Sequence, residues 1–186
     1  MRCIETELPG VLLLEPSRFT DARGYFMETW RRDRYAALGL PADFVQDNLS
    51  RSGRGVLRGL HAQHPHGQGK LIQVVQGEVF DVVVDIRLGS PHFGRWFGVT
   101  LSEADGRQLF VPPGFAHGFC VTGDDALVAY KCTDVHHPEA ELCVAWDDPD
   151  LGIAWPLEGA PILSERDRAG LRLAAIRPER LPTYAG

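Results

Sequence analysis

From residue 44 onward the chain is a succession of short apolar segments separated by turn residues, and this pattern restricts the fold more than any other feature. In residues 79–86, Val79, Asp81, Val83 and Asp85 alternate with apolar residues, which predicts a β-strand. Within 70–87, the Gln76-Gly77 step predicts a turn between two strands. The other segments of this type are RWFGVTLS, RQLFVPP, DALVAYKCT and ELCVAW. So many short strands favour an all-β sandwich or barrel.

The two ends of the chain carry a few additional elements. Residues 11–14 and 24–30 are predicted to be strands, and 31–40 a helix that ends near Gly39. After about residue 163 the chain is polar, and Ser164 is placed to cap a short helix. The sequence contains no repeat or long linker, so we expect a single domain over 1–186. Its core is predicted at about 44–156, with the N-terminal strands and the C-terminal helix packed on it.

Charge and cysteine usage narrow the possible partners and location. The net charge of −6 argues against nucleic-acid binding by bulk electrostatics, although a local basic pocket for a small anion stays possible. The start of the sequence has no apolar segment as long as a signal-peptide core, and no later apolar segment is as long as a membrane span, so no membrane partner is expected. The four cysteines show no CxxC spacing and are predicted to be reduced, as in a cytoplasmic protein.

The segment VLRGLHAQ (56–63) places Arg58 and His61 inside an otherwise apolar strand. A charge and an imidazole are costly in a core unless they are paired. Because their separation is odd, a regular strand would point them to opposite faces, unless Gly59 hosts a bulge that redirects one of them. The pattern therefore leaves two interpretations open, an exposed edge strand or a strand that faces a pocket.

Residues 111–119, VPPGFAHGF, fit the P-x-G-x-x-H pattern of the second cupin motif, which points His117 into a β-barrel. The alternative is a tight turn that carries a satisfied core histidine. A metal-binding cupin also needs an H-x-H pair and a nearby glutamate. His64 and His66 supply the pair, but Lys70 stands near the place of the carboxylate, and an ammonium cannot ligate a metal. No metal site is predicted, and both histidines are interpreted as loop residues.

Tyr130 follows the apolar run Leu127–Ala129, so its side chain is predicted to point inward. A buried tyrosine is more often a structural residue with a hydrogen-bond partner than a catalytic one. The residue type and its position leave both roles open.

Taken together, these segments resemble the dTDP-4-dehydrorhamnose 3,5-epimerase family over nearly the full length of the chain. The matching segments, in the family's order and near its spacing, are DARGYFMETW, FVQDNLSRS, VLRGLHAQ, QGKLIQVVQGEVFDVVVDIRLGSPHFGRW, RQLFVPPGFAHGF, YKCTD and the later LSERD. The resemblance implies a cupin-type jelly roll, a homodimer, and no metal or organic cofactor. It implies dTDP-4-dehydro-6-deoxy-glucose as the nucleotide-sugar substrate, on the way to dTDP-rhamnose.

The resemblance also implies roles for individual residues. His61 would be the base, Asp167 its partner, Lys70 the group beside the C4 oxygen, and Tyr130 the acid on the opposite face. Arg58 and Arg23 would hold the pyrophosphate, and Phe26 would line the pocket. The other positions that match substrate contacts of the family are Glu28, Gln46, Asp47, Asn48, His117, Glu141 and Arg166.

The chain departs from the family pattern after YKCTD, where Val135-His136 replaces a common Tyr-Tyr pair, so the nucleotide base is less well specified. Arg166 replaces a common lysine and keeps the charge. Relatives that epimerise only C3 or only C5 remain an alternative. A metal-dependent cupin and a non-catalytic sugar-nucleotide binding module are two further alternatives; the first lacks a full ligand set, and the second has no need of an acid and a base.

Overall fold

The computed structural model of the chain describes residues 1–41 and 43–185, and its regular structure is mostly β. Two short α-helices are α1 (Arg32–Ala36) and α2 (Glu165–Arg168). Single turns of 3₁₀-helix cover Pro138–Ala140, Leu173–Ala175 and Pro178–Arg180. The strands are β1 (Arg2–Glu5), β2 (Leu12–Glu15), β3 (Arg18–Asp21), β4 (Gly24–Met27), β5 (Gln46–Gly53), β6 (Leu57–Gln63), β7 (Lys70–Asp85), β8 (Trp96–Ser102), β9 (Gln108–Val111), β10 (Phe115–Cys132) and β11 (Glu141–Cys143).

Nine of the strands in the described part of the chain form one antiparallel sheet, in the order β1-β2-β9-β7-β10-β6-β11, with β5 added on β10 and β8 on β7. The long strand β10 pairs with β5, β6 and β7 along different parts of its length, which bends the sheet around a common interior. Strands β3 and β4 form a separate hairpin. The predicted all-β, cupin-type architecture is confirmed.

Both faces of β7 are buried over residues 81–85, which explains why apolar residues fill the consecutive positions 82–84. Val79 and Val83 belong to the core cluster inside the barrel, whereas Val82 and Val84 belong to a second cluster with the C-terminal segment. Asp81 also lies on this strand and is fully buried. A carboxylate in such a place needs a partner, and its partner is described with the site below.

Several boundaries differ from the prediction. Residues 70–87 hold one strand rather than two, because Gly77 (φ 77°) absorbs an irregularity in the pairing with β10 instead of forming a turn. The predicted strand 24–30 ends at Met27, since Trp30 turns away to pack against Tyr35 and Phe44. The helix predicted over 31–40 is shorter than expected, because the structure limits it to α1, Arg32–Ala36.

The C-terminal segment packs on the barrel beside β6. Isolated parallel bridges join Val56 to Ile162 and Val144 to Leu171, one on each side of α2. Ser164 caps α2 as predicted, and its hydroxyl accepts a hydrogen bond from the backbone N–H of Asp167 at 3.1 Å. Among the described helices, none has the length and apolar character needed to cross a membrane.

Candidate active site

Two adjoining cavities of about 410 and 290 Å³ lie against β6 and β10. They share His61, Lys70, Tyr130 and Arg166, so we describe them together as the polar cavity. Its walls come from β5, β6, β7, β10, β11 and α2 and from the loops that follow β6 and β10. The other residues on its walls are Gln46, Asn48, Ser50, Arg58, Ala62, Gln63, Gln68, His117, Phe119, His136, Glu141, Ser164 and Asp167.

A bulge at Gly59 brings Arg58 and His61 to the same cavity. The pairing of β6 with β10 shifts register between His117, which faces His61, and Phe119, which faces Arg58. Gly59 has a φ of 126°, and a Cβ atom there would lie 2.5 Å from the Cα of Gly118. Only glycine fits this conformation and this close approach. The strand therefore faces a pocket, and the predicted bulge is present.

His61 is tied to the C-terminal segment through a chain of hydrogen bonds. Its Nε2 lies 2.5 Å from Oδ1 of the buried Asp167, and the Ser164 hydroxyl donates to Oδ2 of Asp167 at 2.7 Å. Burial acts to raise the pKa of Asp167, but the hydrogen bonds from His61 and Ser164 hold it below its ordinary value. Asp167 is therefore an anion that accepts a hydrogen bond from the protonated Nε2 of His61, so Nδ1 is the unprotonated ring nitrogen.

Arg166 adds a positive charge beside this pair. Its Nη2 lies 3.3 Å from Nε2 and 3.5 Å from Nδ1 of His61, while its Nη1 donates to Oε2 of Glu141 at 2.5 Å. Burial lowers the pKa of His61, Asp167 acts to raise it, and Arg166 lowers it further. The net pKa lies below the ordinary value, so His61 is a neutral imidazole, ready to accept a proton, at neutral pH.

Lys70 and Tyr130 bring an ammonium and a phenol to the same cavity. The Nζ of Lys70 lies 3.4 Å from the carbonyl oxygen of His61, and burial lowers the pKa of this lysine. Burial also raises the pKa of Tyr130, which keeps its phenol neutral at neutral pH. The Tyr130 hydroxyl has no hydrogen-bond partner among residues 1–41 and 43–185, so the interpretation as a satisfied structural tyrosine gains no support.

Three further predicted residues stand on the walls with partners of their own. The Nε2 of the buried His117 lies 2.9 Å from Oδ1 of Asp81, which compensates the buried carboxylate. His117 thus combines the two alternatives left open by the sequence: it is a satisfied histidine that also lines the cavity. On β5, the Gln46 amide donates to Oδ1 of Asn48 at 3.0 Å, which fixes both amides.

Four predicted substrate contacts lie outside the polar cavity of their own chain. Asp47 alternates with Gln46 and Asn48 on β5, so its carboxylate faces the other side of the sheet, where it pairs with Lys131 at 2.9 Å. Arg23, Phe26 and Glu28 lie on or after the β3–β4 hairpin. Arg23 forms an ion pair with Asp21, and Glu28 forms one with Arg34. Phe26 is 70% exposed and lines a separate groove outside the polar cavity.

Sequence reasoning gave no functional role to several residues of the cavity. Ser164 was predicted only as a cap, and its second hydrogen bond, to the Asp167 carboxylate, has no signal in the sequence. Ser50 and Gln63 could have been found from strand alternation, because each lies two residues from a predicted site residue on the same strand. The others in this group are Gln68, Phe119 and His136.

One group beside the polar cavity has the donor atoms of a metal site but a charge environment that disfavours a cation. Ligand atoms of His61, Cys143 and Asp167 lie within 4.8 Å of one another. However, His61 and Asp167 already bond directly, and the Arg166 guanidinium lies against the imidazole. A cation would have to displace a charge-assisted hydrogen bond and approach an arginine, so we assign no metal to this group.

The chain is similar to known proteins along most of its length. The family model for dTDP-4-dehydrorhamnose 3,5-epimerase matches residues 5–175. The chain belongs to this family. It is 56% identical over 170 residues to the family member of Neisseria gonorrhoeae, a match that covers 91% of this chain and 52% of that protein. It therefore spans about half the length of that relative.

A second family member, from Methanothermobacter thermautotrophicus, is 52% identical over 169 residues, with 90% of this chain and 91% of that protein covered. Among solved structures, the dTDP-6-deoxy-D-glucose-3,5-epimerase of Legionella pneumophila, in complex with dTDP-4-keto-L-rhamnose, has a TM-score of 0.97 and 50% identity. That similarity covers 100% of this chain and 99% of the other. The chain thus shares the fold of an epimerase of this family along its whole length.

Proposed function

We propose that this protein is an isomerase that epimerises C3 and C5 of dTDP-4-dehydro-6-deoxy-glucose and forms dTDP-4-dehydrorhamnose, a step of dTDP-rhamnose biosynthesis. The observation that carries the proposal is the hydrogen-bonded pair His61–Asp167 in the same cavity as Lys70 and Tyr130. Membership of the family supports the substrate. A module that only binds sugar nucleotides has no need of this combination.

His61 removes the proton in the proposed reaction. The C4 ketone makes the hydrogens on C3 and C5 weakly acidic, because the carbanion is delocalised onto the ketone oxygen as an enolate. The hydrogen bond to Asp167 keeps a proton on Nε2 of His61, so Nδ1 is the nitrogen that accepts the proton from carbon. The Asp167 anion then stabilises the imidazolium that forms.

Lys70 stabilises the enolate, and Tyr130 completes the inversion. The Lys70 ammonium supplies a compact positive charge for the C4 oxygen, where negative charge develops. The neutral phenol of Tyr130 delivers a proton to the other face of the carbon. One proton leaves and another returns, with no net change in electrons, so the reaction requires no redox cofactor.

Cationic and amide side chains around the base hold the nucleotide part of the substrate. Arg58 presents its guanidinium group to the cavity, which suits the pyrophosphate oxygens that the family resemblance assigns to Arg58 and Arg23, and Arg166 adds a second positive charge. Gln46, Asn48 and Glu141 contribute polar groups on the neighbouring wall. Val135-His136 stands where the family often carries a tyrosine pair, one member of which can stack on the nucleotide base.

We further propose a cytoplasmic homodimer in which 1–186 forms one epimerase domain. The four cysteines are free in the structure, which fits a reducing compartment. Phe19, Tyr25 and Phe26 expose 66%, 49% and 70% of their surface on the β3–β4 hairpin, an apolar cluster that a second copy would bury.

The test of the proposed function is incubation with dTDP-4-dehydro-6-deoxy-glucose in deuterated water, followed by NMR of the sugar. We expect deuterium at both C3 and C5 and formation of the rhamno product. Deuterium at one carbon alone would assign the protein to the single-site epimerases. The His61→Asn variant should lose about 100- to 10,000-fold in rate, whereas His64→Gln, which alters an imidazole outside the cavity, should retain its rate. Exchange by His61→Asn at the wild-type rate would overturn the assignment of the base.

A further inference from the structure

Two histidine-bearing loops meet at the rim of the polar cavity. One follows β6 and carries His66, and the other follows β10 and carries Asp134 and His137. We propose that these three residues, the rim cluster, bind a divalent transition-metal ion of the Zn²⁺ class. The site is separate from the epimerase chemistry, because none of the three side chains is among the described residues that line the polar cavity.

The donor atoms are already close to a coordinating arrangement. Nδ1 of His66 and Nε2 of His137 each lie 3.8 Å from a carboxylate oxygen of Asp134, and the ligand atoms of all three lie within 4.8 Å of one another. The two imidazole rings are stacked, with centroids 4.1 Å apart. A tetrahedral Zn²⁺ site with bonds of about 2.0–2.2 Å places its ligand atoms about 3.3–3.6 Å apart, so small side-chain rotations close the site.

Neighbouring groups hold the rim cluster together. The amide nitrogen of the buried Gln63 donates to the carbonyl oxygens of His66 at 2.8 Å and Val135 at 3.2 Å, while its oxygen accepts from the backbone N–H of His137 at 2.9 Å. Gln63 thus bridges both loops. Glu139 Oε1 lies 3.5 Å from Nδ1 of His137, which favours the tautomer whose Nε2 is free for a metal. Carboxylates behind metal-binding histidines commonly have this role.

The charges around the rim cluster favour a cation, in contrast to those around His61. Within the described part of the chain, the ion-pair contacts of Asp134 are both with histidines, and Glu139 adds a second carboxylate. Two imidazoles and a carboxylate form a ligand set that suits Zn²⁺, Ni²⁺ and Cu²⁺. The sequence predicted no metal at the H-x-H pair, His64 and His66, because the expected carboxylate does not follow the pair along the chain. Here the carboxylate comes from a different loop.

The experiment is titration of the chelator-treated, tag-free protein with Zn²⁺ by isothermal calorimetry, repeated with Co²⁺ to record its visible absorption. We expect one ion bound per chain. His66→Ala, His137→Ala and Asp134→Asn should each weaken Zn²⁺ binding at least about tenfold, and Glu139→Gln about tenfold. His64→Gln is the matched control on the same loop and should leave the affinity unchanged. Thermal melting of each variant without metal checks that the fold persists.

Three outcomes would overturn the proposal. Loss of Zn²⁺ binding in His61→Asn but not in His137→Ala would place the ion in the polar cavity. Loss in His64→Gln would assign it to the H-x-H pair, and absence of saturable binding would remove the site altogether. None of these outcomes bears on the epimerase assignment, which is tested by deuterium incorporation.

Discussion

At the scale of single residues, the charge state of His61 is set by groups that act in opposite directions. Burial and Arg166 lower its pKa, and Asp167 raises it. The base must be unprotonated to act, so kcat/KM should fall as the pH drops through the pKa of His61 in the free enzyme. Because the net pKa is lowered, this acid limb should lie below the ordinary histidine value of about 6.5.

Substitution of the two neighbours should move this acid limb in opposite directions. Arg166→Gln removes a positive charge, so the pKa of His61 rises and the limb moves to higher pH. Asp167→Asn removes the group that favours the imidazolium, so the limb moves to lower pH and the plateau also falls. The measurement is kcat/KM between about pH 4.5 and 8. If the acid limb of kcat/KM lay at the same pH in both variants, His61 would not be the group that titrates.

Tyr130→Phe tests whether proton removal and proton return use different groups. If Tyr130 is only the acid, the variant keeps His61 active and should exchange substrate hydrogen with deuterated water faster than it forms epimerised product. His61→Asn should lose both reactions together. The ratio of exchange to product, read by NMR, is the measurement. Equal loss of both in Tyr130→Phe would show that the phenol is needed for the first step, and full activity would return Tyr130 to a structural role.

At the scale of elements, the bulge in β6 determines which side chains reach the cavity. Gly59→Ala introduces a Cβ 2.5 Å from the Cα of Gly118 at a φ of 126°. We expect the free energy of unfolding to fall by about 1–3 kcal/mol. Activity should also fall, because Arg58 and His61 are displaced. Urea denaturation followed by circular dichroism measures the change.

Gly53→Ala is the matched control, since a Cβ there meets no atom within 4 Å. Its stability should stay within about 0.5 kcal/mol of wild type. A similar, small effect of both substitutions would contradict the role given to Gly59.

Strand alternation predicted the elements well and their junctions poorly. It identified the strands that became β7 to β11, because burial on fixed faces leaves a period of two in the sequence. It split β7 at Gly77, since a glycine in a bulge and a glycine in a turn give the same local signal. It could not decide whether Arg58 and His61 share a face, because that depends on the approach of Gly118 from a distant strand.

At the scale of the whole molecule, the β3–β4 hairpin forms a small sheet of its own that is not paired with the main sheet. Residues Arg23 and Phe26, which the family resemblance places at the substrate, are not in the polar cavity of their own chain. Sequence similarity carries the identity of a contact residue but not the chain from which it comes. A homodimer in which the hairpin reaches the partner's cavity reconciles the two observations.

Mixing two inactive variants tests this arrangement. If Arg23 acts in the partner's site, dimers exchanged between Arg23→Ala and His61→Asn chains contain one intact site out of two. Random exchange makes about half of the dimers hybrid, so activity should recover to about a quarter of wild type. Light scattering on the same samples checks that they are dimers. No recovery in verified hybrids would place Arg23 and His61 in the same site or remove Arg23 from it.

The weak packing of α2 on the barrel has a consequence for how activity is lost in denaturant. Ile162 and Leu171, on either side of α2, are 60% and 54% exposed, and Asp167 is the buried residue of the helix itself. Little apolar surface therefore holds this stretch, which is a condition for local opening at a fraction of the global unfolding free energy. In a urea series, turnover should disappear at a lower concentration than the β-sheet circular dichroism signal. Coincident transitions would show that the helix and the barrel open as one cooperative unit.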